Sequence, residues 1–343
     1  MSNTVFDRVR TSLVTQRQNL NTWLVRTPPE QKQLRLGPAP EAAAQTHLQV
    51  LDNALEKATD HTLGLCDVCH DYVEPSRLEM DYTTCVCLDH LADEERRRLE
   101  FDLELSQKVQ QALLPQQVPD IPGLELAAFS QPARIVGGDY FDFLHFRDNT
   151  HGLVIADVVD KGMAASLLMA SLQASLRILV AESDSPAKVA ERLNTLFIHN
   201  IHLTQFVTLF LGRYDHLTRT MHYCNAGHNP PLLYRHKAAE TRRAHWLQPT
   251  GAAIGLVEEF AFHDEAVTVM PDDTLLLYTD GVTEARNGQG AEFRTQGLIE
   301  FMQRHAQLQA PDLVRELRRT LQEFTGSHPL ADDTTIVAGK VTA

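Results

Sequence analysis

The chain has 343 residues, 43% of them hydrophobic and 22% charged, and a formal net charge of -14; this is the composition of a globular protein of two or three domains and excludes a disordered or fibrous one. The acidic balance excludes nucleic-acid binding through a broad basic surface, which depends on neutralising phosphates with Lys and Arg. No apolar run approaches the roughly 20 residues that cross a bilayer, and the N-terminus (MSNTVFDRVRTSL) lacks a signal peptide's apolar core, so a cytoplasmic protein without membrane contact is expected.

Residues 4–26 carry apolar side chains at helical spacing and stop at Thr27-Pro28-Pro29. After the break LGPAPE (36–41) a second helical run follows, and the two are expected to pair as an antiparallel hairpin within a helical segment, 1–62. The next stretch, 63–92, holds Cys66, Cys69, Cys85 and Cys87, while Cys224 stands alone. In a cytosolic chain such a cluster is more often a metal site than a disulfide framework. Cys66, Cys69, Cys87 and His90 form a C-x2-C-x17-C-x2-H pattern, two close pairs that can close one structural zinc site. Cys85 in place of His90 would supply four thiolates, although one residue between Cys85 and Cys87 suits chelation less well. Residues 93–117 read as a charged linker helix. Leu99, Leu103, Ser106, Gln110 and Leu113 alternate four- and three-residue steps there, a coiled-coil-like seam for a homodimer.

From 118 to 343 the texture changes to short β-branched and aromatic runs between turns. Strands are predicted at 124–130, 152–158, 206–215, 220–224, 231–235, 265–270, 274–280 and 334–342, and helices at 164–182, 185–200, 295–309 and 312–326. Helices in pairs, separated by successive strands, predict antiparallel sheets with helices packed outside. Four strand ends finish in aspartate: Asp139 in IVGGDYFDFL, Asp157 in VIADVVDKG, Asp280 in LLLYTDGVTEA, and Asp332 with Asp333 in LADDTTIVAG. The paired glycines before Asp139 mark a bulge in a strand or a close backbone approach, with Asp139, Phe141 and Phe143 on one face. Converging carboxylates repel one another unless they are protonated or hold a cation. Oxygen ligands suit Mg²⁺ or Mn²⁺, and a pair of such ions supports displacement at phosphorus. The competing reading is a set of unrelated turn residues, Asp-Gly being a common loop signal.

Read in order, PARIVGGDYFDF, IADVVDKGMAASLLMA, FVTLFLGRYD, YCNAGHNPPLLY, TGAAIGL, LLLYTDGVTEARN and ADDTTIVAGKV resemble the SpoIIE/RsbU class of bacterial metal-dependent (PPM, 2C-type) protein serine/threonine phosphatases, over roughly 107–343. The resemblance implies an α+β fold, an α-β-β-α sandwich of two antiparallel sheets with a dimetal site at one edge. It implies two Mn²⁺ or Mg²⁺ ions, with Asp157 bridging both and the Val158 carbonyl as a further ligand. Asp280 and Asp332 would complete one position, and Asp139 would contact the other directly or through water. Arg134 is a candidate phosphate contact. Asp142 and Asp333 are candidate supporting residues, and His228 in NAGHNPP shapes a turn. The helix near Met163 would be core packing that also belongs to the region regulating these enzymes. One departure stands out: where the family has a DVSGKG-like turn, this chain places Asp160 at the expected glycine, an extra carboxylate beside the site.

The cysteine stretch, with the preceding ALEKATDHTLGLC and the internal VEPSRLE, resembles the DksA/TraR zinc finger, with His90 where the family's last ligand is commonly cysteine. The resemblances together imply a regulatory phosphatase whose substrate is a phosphorylated STAS-type anti-sigma-factor antagonist. The finger would act as a sensor or docking module for an upstream signalling protein, working through the linker helix. The alternative is a regulatory binding protein that meets RNA polymerase or another partner through the finger and carries a degenerate phosphatase scaffold.

Overall fold

The computed structural model describes residues 3–26, 28, 32, 40–74, 77–78, 81–159, 162–198, 206–326 and 332–343. Asp160 lies outside the described residues. The chain divides into two compact units, Met1–Leu103 and Glu104–Ala343.

In the first unit, α1 (Asn3–Arg26) and α2 (Pro40–Thr59) pack through Val9, Leu13, Leu51, Ala54 and Ala58, with Arg17 bonded to Asp52 on the rim. The same core continues into the cysteine module through Leu63, Cys66, Val73, Leu78 and Cys87. A module this short cannot bury a core of its own, and it borrows the helices' apolar face. A third helix, α3 (Asp93–Leu113), opens with Asp93, Glu94 and Glu95, negative charge at the positive end of its dipole. Its last turns belong to the second unit.

The second unit runs β1 (Leu124–Gln131), β2 (Tyr140–His145), β3 (His151–Val158), α4 (Met163–Glu182), α5 (Pro186–Ile198), β4 (Val207–Asp215), β5 (Thr220–Ala226), β6 (Leu232–Tyr234), β7 (Ala244–Trp246), β8 (Glu265–Thr268), β9 (Thr274–Tyr278), the single-turn α6 (Asp280–Thr283), α7 (Arg294–His305), α8 (Ala310–Thr325) and β10 (Thr334–Val341). One sheet has the order β1-β10-β9-β6-β7 and the other β2-β3-β4-β5-β8. All their pairings are antiparallel. Strand alternation explains the layering. Leu153 and Ile155 of β3 meet Leu275 and Leu277 of β9 and Val337 of β10 between the sheets. Val154, Ala156 and Val158 face α4 and α5, while Leu276, Tyr278, Ile336 and Ala338 face α7 and α8. Central strands buried on both faces read as continuous apolar runs. The α-β-β-α sandwich implied by the family resemblance is the observed architecture.

Three details differ from the sequence reading. The glycine pair lies in a bend ahead of β2 and not within a strand, while Asp139, directly before β2, reaches Thr279 of the other sheet from the side on which Phe141 packs. The edge strand β7 has no counterpart among the predicted strands. Finally, α4 has a mean hydropathy of 1.6 in its most apolar window and is long enough to cross a membrane, against the expectation that no run approaches that length. Here its face of Met169, Leu172, Leu176 and Val180 packs on the second sheet, as a core helix does.

Candidate active site

Strand register brings the predicted aspartates to one edge of the sandwich. Tyr140 of β2 stands opposite Ala156 of β3, so the preceding Asp139 falls beside Asp157. In the other sheet Tyr278 pairs with Ile336, and the Thr279 amide donates to the Thr335 carbonyl at 3.1 Å. That pairing places Asp280, just past β9, at the same sheet end as Asp332 and Asp333, just before β10. Asp139 and Asp157 thus come from one sheet, and Asp280, Asp332 and Asp333 from the other.

Asp139 is the buried member, 6% exposed, and the other four are half-buried. Burial raises its pKa well above the usual carboxylate range, and the neighbouring charges of Asp157 and Asp333 add to the shift. Thr279 joins the two sheets at this point: its hydroxyl donates to Asp139 Oδ2 at 2.8 Å and accepts from the Thr335 amide at 2.9 Å.

The glycine pair is a close approach. Gly138 donates its amide to Asp333 Oδ2 at 2.7 Å, and the other oxygen, Oδ1, accepts from the Ala133 amide at 2.8 Å. A Cβ on Gly138 would lie 2.7 Å from the Val158 carbonyl oxygen, and one on Gly137 would lie 2.2 Å from Asp333 Oδ2. Asp333 therefore spends its carboxylate shaping the bend. Gln110 of α3 holds the same bend from the other side, its carboxamide donating to the Gly137 carbonyl at 2.6 Å and accepting from the Gly137 amide at 3.0 Å. The predicted coiled-coil seam is thus partly used within the second unit: Gln110 is buried, and Leu113 packs against the α4–α5 core. Nothing in the periodicity of residues 93–117 marked Gln110 for this role.

The remaining candidates fall nearby or elsewhere. Arg134 is half-buried in the bend between β1 and β2. Asp142 points away from the acidic edge; it accepts from the Tyr140 hydroxyl at 2.6 Å and from Arg177 Nε of α4 at 3.1 Å. His228 is 3% exposed, with its Nδ1 2.8 Å from the Thr208 hydroxyl, and burial pushes its imidazole down to about 4. It is a neutral structural histidine.

The donors at the edge are all oxygens, as a hard divalent cation requires. A buried carboxylate facing two others is the environment that such a cation relieves. These residues fit the metals implied by the family.

In the first unit, the ligand atoms of Cys66, Cys69, Cys87 and His90 all lie within 4.8 Å of one another. Cys69 Sγ is 3.8 Å from Cys87 Sγ, matching the separation of about 3.8 Å that tetrahedral zinc with Zn–S bonds of about 2.3 Å imposes. Cys87 Sγ is 3.1 Å from His90 Nδ1. Backbone amides of Cys69 and Cys87 aimed at Cys66 lower its thiol pKa and favour the thiolate that a metal binds. Cys85 is not part of the converging set. Its thiol is pushed up, first by a hydrogen bond to Asp67.

Two packed antiparallel sheets flanked by helices are the fold of PP2C-type phosphatase domains, and solved structures share it. The SiaA-PP2C domain of Pseudomonas aeruginosa superposes with a TM-score of 0.63 at 21% identity, over 73% of this chain and 99% of that one. The RsbU and RsbW domains of Rv1364c from Mycobacterium tuberculosis give a TM-score of 0.55 at 28% identity, over 67% of this chain and 63% of that one. The phosphoserine phosphatase RsbU of Bacillus subtilis is 27% identical over 242 residues, 71% of this chain and 70% of its own length. RsbP, a second phosphoserine phosphatase of that organism, is 25% identical over 68% of this chain and 56% of its own. Residues 147–342 match the model of the stage II sporulation protein E family. The chain belongs to the SpoIIE family and is a protein serine/threonine phosphatase.

Proposed function

We propose that the chain removes phosphate from a phosphoserine or phosphothreonine of a regulatory partner protein, a STAS-type antagonist, at the edge formed by Asp139, Asp157, Asp280 and Asp332. The observation that carries this is buried Asp139, facing Asp157 and Asp333 where the two sheets meet. Asp157, Asp280 and Asp332, with the Val158 carbonyl and Asp139, would hold two Mn²⁺ or Mg²⁺ ions. When bound, such ions supply an activated water for in-line displacement at phosphorus and neutralise charge on the phosphoryl oxygens. Thr279 fixes one oxygen of Asp139, and Asp333 fixes the Gly138 amide, so the carboxylates are aligned before a metal arrives. Arg134, in the same bend, is suited to hold the substrate phosphate. Release of phosphate from p-nitrophenyl phosphate with and without Mn²⁺ tests this reading in wild type, Asp157→Asn and Asp280→Asn. Activity that survives both substitutions, or that needs no metal, overturns it.

The Cys66, Cys69, Cys87 and His90 set would hold one structural Zn²⁺ in a DksA/TraR-like finger that acts as a docking or sensing module for an upstream protein. The convergence of four ligand atoms supports the metal. Leu105 and Val109 leave apolar surface exposed on successive turns of α3, which supports a homodimer along that helix.

A further inference from the structure

A second cavity adjoins the carboxylates of Asp139 and Asp333 along the chain: it is lined by Thr334, the residue after Asp333, and by Phe129 and Gln131 of β1, which flank Ser130 of the other pocket. Those two carboxylates line a pocket with Gln110 and Gly137. The second cavity is lined by Phe129, Gln131, Gly281, Arg318, Gln322 and Thr334. Its walls adjoin the acidic edge directly, because Gly281 follows Asp280 and Thr334 is two residues from Asp332.

Arg318 of α8 sets this cavity apart. Its neighbours on the helix are ion-paired, Arg315 with Asp312 and Arg319 with Glu316 and Glu323. Among the described residues Arg318 has no such partner, and its Nε is buried without a hydrogen bond. Its guanidinium carbon sits 3.7 Å over the Phe129 ring. Stacking on an aromatic face fixes the plane of a guanidinium and leaves its N–H edge free for a planar anion. Its partner is therefore best sought outside the chain.

We propose that Arg318 and the cleft it lines form a carboxylate-binding subsite, which takes an aspartate or glutamate within three residues of the phosphoserine in the substrate protein. The phosphoryl group itself belongs at the acidic edge, in the other pocket, which leaves Arg318 for a neighbouring side chain. The proposal rests on the phosphatase reading for its location, and the test separates the two.

Two phosphoserine peptide sets are compared, one with Asp placed in turn at each position within three residues of the phosphoserine and one with Ala throughout. In wild type, kcat/KM favours at least one Asp peptide over the Ala peptide. Arg318→Gln lowers that preference about tenfold, the order expected for one charge-assisted hydrogen-bonded pair, and Arg318→Lys retains part of it. A ratio is insensitive to general damage in the variant. The same ratio is read by fluorescence anisotropy with non-hydrolysable phosphonate peptides. If wild type turns over no substrate, the phosphatase reading fails, while the binding ratio still decides the role of Arg318. A preference that Arg318→Gln leaves unchanged, or the lack of any preference in wild type, overturns the subsite.

Discussion

Gly138→Ala is the sharpest perturbation available at the acidic edge. The added methyl would stand 2.7 Å from the Val158 carbonyl oxygen, about 0.6 Å inside the roughly 3.3 Å at which carbon and carbonyl oxygen ordinarily approach. Neither side yields easily. Val158 O belongs to the backbone at the end of β3, and the Gly138 amide is held by Asp333 at 2.7 Å. Relief must push the bend away from β3 and so separate Asp139 from Asp157. Overpacking of this kind costs about 1–3 kcal/mol, which for a unit of this size lowers Tm by on the order of 5 °C. A misplacement of about 1 Å costs reacting groups on the order of 100-fold, so the roughly 0.6 Å shift needed here is expected to lower kcat/KM by on the order of tenfold. Thermal melts and phosphate release from p-nitrophenyl phosphate across a Mn²⁺ series measure both. If Gly138→Ala melts like wild type and turns over at the wild-type Mn²⁺ requirement, the close approach is not what the glycine is for.

Arg177→Met leaves Asp142, 4% exposed in its side chain, with Tyr140 as its one remaining side-chain partner among the described residues; because Arg177 is itself half exposed, a loss of about 1–2 kcal/mol is expected in urea unfolding, with the Mn²⁺ requirement unchanged. His228 has a folded pKa of about 4, below its unfolded value of 6.5, so the unfolded chain takes up the proton first and stability falls as pH drops through this window, by up to about 3 kcal/mol. A flatter fall in Tm between pH 6.5 and 4.5 in His228→Gln, relative to wild type, checks that. Metal analysis of the purified full chain should find one zinc, retained in Cys85→Ser and lost in Cys69→Ser. Retention in both, or loss in Cys85→Ser alone, would mean that a different set of ligands holds the ion.

Central strands such as TLLLY and LVIADV were legible because burial on both faces leaves an unbroken apolar run, whatever the tertiary context. The edge strand β7 was not, since AHW is short and shows no alternation that separates it from a loop. The four aspartates stand at strand ends, where turn chemistry and metal chemistry use the same residue; the order of several motifs, and no single local pattern, makes them candidates for a metal site. The glycine pair was read correctly as a close approach and wrongly as part of a strand. A bend whose amide is held by Asp333, 195 residues away, leaves no periodic trace. Gln110 escaped for a similar reason: its partner is backbone 27 residues on, and a polar residue in a heptad seam looks like a specificity device between helices.

Because the acidic edge is split between the two sheets, with Thr279 bridging them, it is sensitive to shear. A slip of one sheet against the other by a single residue, about 3.3 Å, would leave each strand and its own hydrogen bonds intact while parting Asp139 and Asp157 from Asp280 and Asp332. Circular dichroism would barely register such a state, whereas turnover would vanish. In this architecture turnover is the more sensitive gauge of packing, and partial denaturation should extinguish it before secondary structure begins to melt.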